Sequence, residues 1–166
     1  MADIVQYNND IQDINLSAIR KKRFRIDGDD NRIIELNTSD LTILARLKDA
    51  YPKLIGIADK AFKDLPQIDV DEDDDFLNSK ETAELIDSLK EADCEMRDLI
   101  DYIFDSKVSE VCAPSGSMYD PINGQFRFEH IIETLAKLYE TDVEKEMGAI
   151  TDRVKKHTGK YTKKRK

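Results

Sequence analysis

"SKETAELIDSLKEADCEMRDLIDYIFDSKVSEV", residues Ser79 to Val111, decides the fold class. Leu85, Leu89, Ala92, Met96, Leu99 and Ile103 alternate at spacings of four and three, which draws a narrow apolar seam along a helix. Phe104, Val108 and Val111 carry the stripe onward. Asn78 and Glu81 have the spacing of a capping box. Helix from 79 to 111 spans about 48 Å at about 1.5 Å per residue. It is polar off the seam, so it is stable only with a partner along it. The chain is expected to be mainly α, an antiparallel helical hairpin or bundle.

The partners lie on either side. Downstream, "CAPSGSMYDPINGQ" breaks the pattern over 112–126 with Pro114, Gly116, Pro121 and Gly124. Phe128, Ile131, Ile132, Leu135, Leu138 and Tyr139 then define an amphipathic helix over 127–157, continuing through Val143, Met147, Ile150 and Val154 with Gly148 as a weak point. Upstream, residues 38–65 read as helix. Asn37 or Thr38 is the expected cap, and Asp40 sits where the helix dipole favours an acid. Leu41, Leu44, Leu47 and Tyr51 form one stripe, and Leu54, Ala58, Ala61, Phe62 and Leu65 the next. Pro52 ends the first helix, kinks it or opens the second, and Pro66 stops the run. Before these, "KKRFRI" and "RIIEL" alternate around "DGDDN", which predicts a small N-terminal β-hairpin over 20–36 with a loop longer than minimal. Phe24, Ile26, Ile34 and Leu36 are its apolar face, and it needs a helix to lie on. Residues 1–19 give weak signals. The whole of 1–166 reads as one domain, with an acidic linker at 66–78 and a basic tail at 158–166.

Charged residues are 37% of the chain and hydrophobic ones 40%, with no Trp. Formal net charge is −9, and eight cations follow Asp152. Without those eight, residues 1–152 carry −17, so an acidic body bears a basic end. No signal peptide or membrane span is expected. Two cysteines, Cys94 and Cys112, make no secreted disulfide framework, and about 27 Å of helix between them forbids a bridge.

Chemical motifs fail one by one. Six acids crowd between Asp69 and Asp75, yet no frame through them has the Gly and Glu that an EF-hand loop needs. "DGDDN" fails the same test, so a solvated linker is the reading, with loose divalent binding left open. Two Cys and two His lack any close ligand pair for zinc. "PSGSM" is no nucleophile elbow, "FEHIIE" no zinc motif, and "HTGKYT" no phosphate loop. His130 is expected to be partly buried and hydrogen-bonded, and both thiols buried and inert. No catalytic, cofactor or metal residue is expected. "RKKRFR" and the basic end suit phosphates, an acidic protein surface or solvent alike.

Two segments, Arg20–Leu54 and Ser117–Glu140 ("SMYDPINGQFRFEHIIETLAKLYE"), with the lysine-rich end, resemble small proteins encoded in the tail gene clusters of phages and prophages of Gram-positive bacteria, which are similar to tail assembly chaperones. The resemblance covers about half the chain and carries no catalytic residues. It implies a non-enzymatic assembly factor in the host bacterial cytoplasm, absent from the mature virion. Its expected partners are the tape measure protein and the tail tube protein, with self-association through helices as a further expectation. A longer frameshifted form occurs in many such families. The expected partner-binding residues are Tyr119, Phe126, Lys155, Lys156, Lys160, Tyr161, Lys163, Lys164 and Arg165. The rival readings are a small nucleic-acid-binding or regulatory phage protein using its basic segments, and a phage inhibitor of a host protein.

Overall fold

A computed structural model describes residues 21–63 and 79–162, without the side chains of 157–162. The fold is mainly α, with a two-stranded antiparallel hairpin at its N-terminal end. The acidic run Asp69–Asp75, residues 1–19 and Lys163, Lys164 and Arg165 lie outside the described residues.

Strands β1 (Lys22–Ile26) and β2 (Asp29–Leu36) pair with Phe24 opposite Ile34. Their connection is shorter than the sequence suggested. Asp27 (φ 52°) and Gly28 (φ 73°) make a two-residue turn with both central residues in the left-handed region. This is the geometry that matches strand twist, and Asp-Gly adopts it readily. The remaining residues of "DGDDN" join β2, with a bulge between Arg25 and Ile26 absorbing the mismatch. Ile34 and Leu36 are buried, so the hairpin does lie on the helices.

Helix α1 (Ile43–Lys63) is continuous through Pro52. The proline cannot donate to the carbonyl of Lys48. Both residues are exposed, so solvent can serve a carbonyl on that side, and the helix runs on. The entry also differs from the expected cap. The Asn37 side chain accepts from Ser39 N (3.3 Å) and its carbonyl from Asp40 N (3.1 Å), while Asp40 accepts from Thr42 N at 2.9 Å and Thr42 Oγ1 at 2.6 Å. Arg46 closes this turn by pairing with Asp40 at 2.8 Å and donating to the Ile103 carbonyl at 2.8 Å. Burial works against the Asp40 carboxylate, but the bonds from Thr42 and Arg46 prevail and hold its pKa below the usual value.

Helix α2 (Lys80–Phe104) is shorter than the predicted 79–111. Its cap is Ser79, whose hydroxyl accepts from Thr82 N at 3.1 Å. It ends where Asp105 takes the left-handed conformation (φ 47°), and Ser106 N returns to the Asp101 carbonyl at 3.2 Å. The break has a cause in side-chain chemistry. Asp101 Oδ1 accepts from Val108 N (2.8 Å) and Ser109 N (2.7 Å), capping the short helix α3 (Ser109–Cys112), and Ser106 Oγ donates to the Glu35 carbonyl at 2.7 Å. An apolar stripe reports which residues turn inward. It does not report whether the backbone between them stays helical.

The predicted loop 112–126 holds a second hairpin, β3 (Pro121–Ile122) with β4 (Gln125–Phe126), turning at Asn123-Gly124. Arginines tie this region down. Arg97 pairs with Asp93 at 2.7 Å and donates to the carbonyls of Ala113 (3.0 Å) and Gly116 (2.9 Å). Gly116 (φ 77°) is required, because a Cβ there would sit 2.4 Å from Asp120 Oδ2 and 2.7 Å from Arg127 Nη2. Arg32 likewise donates to the carbonyls of Val111 (2.9 Å) and Cys112 (3.1 Å).

Helix α4 (Arg127–Thr162) starts with Glu129 accepting from Phe126 N at 2.8 Å, half of a capping box. It extends five residues past the expected 157. The first residues of α1 meet the last turn of α2 through Arg46 and Ile103, while Phe62 near the end of α1 meets Phe126 at 6.0 Å. Leu41 to Leu47 lie beside Ala136 to Val143. Helix α1 is thus antiparallel to both α2 and α4. The core between them is built from Leu54, Met96, Ile100, Ile103, Met118 and Phe128, each with its side chain sealed from solvent.

Candidate protein-docking surface

Helix α4 changes character along its length. From Phe128 to Tyr139 its apolar residues are core: Phe128, Ile131, Ile132, Leu135 and Tyr139 are all buried. Tyr139 tilts against Phe104 at 6.0 Å, and burial pushes its hydroxyl up to about 12. Val143 is half-buried, and every residue from Glu144 to Lys156 is exposed. Met147, Ile150 and Val154 continue the apolar spacing beyond the body of the protein.

At the transition lies a cleft of about 330 Å³, lined by Leu41, Ile43, Leu44 and Leu47 on one wall and by Ala136, Tyr139, Glu140 and Val143 on the other. The Leu41–Leu44–Leu47–Tyr51 stripe was expected to be one face of α1. It is instead divided between inside and outside. Tyr51 packs on Phe128 at 6.1 Å, whereas Leu41 is 56% and Leu44 66% exposed. A polar knot anchors α4 beside Val143. Thr38, only 2% exposed, and Lys22 both donate to Asp142. Those two bonds hold the Asp142 carboxyl below its ordinary pKa. The knot fixes α4 against the hairpin just before the helix leaves the body. Cleft and stripe form a continuous apolar face suited to receiving an amphipathic helix.

The predicted contact residues fall at two separate places. Tyr119 is half-buried and its hydroxyl donates to the Leu89 carbonyl at 3.3 Å. Phe126 is half-buried between Phe62 and Phe128, at 6.0 and 5.8 Å. Both belong to the edge of the core. Lys155 and Lys156 are exposed on the projecting end of α4, and Lys160 and Tyr161 follow on the same helix. The exposure of Leu41 and Leu44 does not follow from the sequence pattern. The available signal was their place in the first turn and just before it, where a packed helix begins to leave its neighbours.

Other constellations offer less. A second cleft, of about 320 Å³, brings Cys112 and His130 to one surface with Asp27. A nucleophilic thiol needs a lowered pKa, and here burial pushes Cys112 up to about 11. His130 is exposed, not partly buried as expected, and its Nδ1 faces Gln125 Nε2 at 3.3 Å. Cys94 is exposed as well, against the expectation of two buried thiols. In the segment "RKKRFR", Lys22, Arg23 and Arg25 pair with Asp142, Glu35 and Asp30, so part of its charge is met within the fold. Among the described residues no cluster of three or more His, Cys, Asp or Glu could hold a metal, and no helix is long and apolar enough to cross a membrane. No family model, curated protein or solved structure matches the chain.

Proposed function

We propose that the chain is a non-enzymatic phage tail assembly chaperone. It holds an apolar helical segment of the tape measure protein while tail tube subunits polymerise, and does its work in the host cytoplasm. The observation that carries this reading is the apolar face running from the Leu41–Leu44–Val143 cleft onto Met147 and Ile150. An amphipathic client helix laid there shields its own apolar side from aggregation. The −17 carried by residues 1–152 keeps such a complex dispersed. The basic end of α4 supplies attraction to an acidic tube subunit. The resemblance of Arg20–Leu54 and Ser117–Glu140 to tail-cluster proteins names the client.

Co-expression with fragments of the tape measure protein tests the proposal. Soluble yield of a client fragment rises with the wild-type chain, and Leu44→Asp abolishes the rise without unfolding the chaperone. Equal yields with and without the wild-type chain refute the reading. Tight, steeply salt-dependent binding to DNA or RNA, lost on deleting the residues after Asp152, establishes the nucleic-acid reading instead.

A further inference from the structure

We propose that, in the absence of a client, a second copy of this chain pairs antiparallel along α4 through the projecting half of the helix. The pairing stands independently of the client's identity.

Met147, Ile150 and Val154 are each about half exposed, because among the described residues the packed body ends near Val143. Their spacings of three and four put them on one side of the helix, in line with Val143 and Tyr139. A face of this kind suits another helix, and the flanking charges select which. Glu140, Glu144 and Glu146 lie on the half nearer the body, and Arg153, Lys155 and Lys156 on the outer half, all exposed.

Parallel self-pairing sets acid on acid and base on base. Antiparallel pairing, with Met147 of one copy facing Ile150 of the other, brings Val143 against Val154. It also brings Glu144 and Glu146 to the level of Arg153 and Lys155. The two-fold axis repeats each of these contacts. Opposite charges beside an apolar seam set orientation in paired helices, and here they favour one orientation only. The acidic and basic halves of projecting α4 thus become one self-complementary surface.

Geometry adds a consequence. With Val154 over Val143, the second copy covers the edge of the Leu41–Leu44 cleft. If the proposed function holds, client and second copy compete for one surface, and the apolar face is shielded between clients.

Sedimentation of the full chain alone, at tens of micromolar, tests the pairing. The wild type sediments as a dimer. Met147→Asp with Ile150→Asp gives a monomer with an unchanged helical circular dichroism signal, since neither residue is in the core. Glu144→Lys with Glu146→Lys weakens pairing about tenfold, because each lost attraction counts twice across the axis. Adding Arg153→Glu and Lys155→Glu to that variant restores it, which a parallel pair cannot do. A monomeric wild type overturns the proposal, as does a dimer indifferent to the aspartates. Failure of the full charge swap to restore pairing overturns the antiparallel arrangement. None of these results depends on a tape measure fragment, so they are separable from the failure of the chaperone assay.

Discussion

The two halves of α4 carry the same kind of apolar stripe and meet opposite fates. Leu135 is buried against the bundle, and Ile150, fifteen residues on, stands in solvent. Periodicity cannot distinguish them, because it records only which side of a helix is apolar. What separates them is whether other elements reach far enough to cover that side. Among the described residues, helix α1 begins at Ile43 and the chain just after β2 is tied to α4 by the Thr38–Asp142 contact, so cover stops at that level. An exposed apolar stripe of this kind is a candidate interaction surface.

The largest expected effect breaks the comparison most sharply. Leu135→Ala leaves a cavity in the core and costs about 2–5 kcal/mol. Ile150→Ala, measured by urea unfolding at concentrations too low for chains to pair, changes stability by no more than about 0.5 kcal/mol. Similar losses at the two positions contradict the division of the helix.

Next comes the scaffold that holds the body together where helix gives way to loop. Arg97→Met removes the donor to the Ala113 and Gly116 carbonyls and the partner of Asp93. Leaving such groups unserved costs about 1–3 kcal/mol. The circular dichroism melt shifts down accordingly, while self-pairing at low temperature is unchanged.

The join between the halves is pH-sensitive. Asp142 has a folded pKa below its unfolded value of 3.8, so its stabilising contribution is complete above that value and fades as pH falls through the folded pKa. Asp40 behaves in the same direction. The wild type therefore loses stability on acidification below about pH 4. Asp142→Asn is less stable than wild type at neutral pH and loses less on acidification. Parallel acid limbs for the two proteins contradict the assignment.

The smallest effect is chemical. Exposed Cys94 reacts with an alkylating reagent in the native protein, while Cys112 stays largely unmodified until the pH approaches about 11, where its thiolate forms. Mass mapping of the labelled peptides reads the order directly.

Much of this architecture was legible from the residues. The hairpin, the three long helices and most core positions follow from period-two and period-3.6 patterns, as Phe24–Ile34 and the Met96–Ile103 seam illustrate. What escaped were effects of single polar groups. Asp101 gathers two backbone N–H groups and ends α2 early, and a solvent-facing Pro52 costs α1 no continuity. The candidate surface was half legible. Its residues stand in the stripes, but which of them the fold leaves uncovered depends on where neighbouring elements stop in space. Tyr119 and Phe126, expected as contacts, are half-buried: the Tyr119 hydroxyl donates to the Leu89 carbonyl, and Phe126 lies between Phe62 and Phe128.

Hydrogen exchange along α4 tests the central claim most directly. The account predicts that amides of residues 144–156 become slower to exchange as chain concentration rises or a client helix is added, with matching protection at Leu41–Leu47 and no change near Leu135. Exchange over 144–156 that is equally fast in every condition, or already as slow as the core in dilute solution, contradicts it.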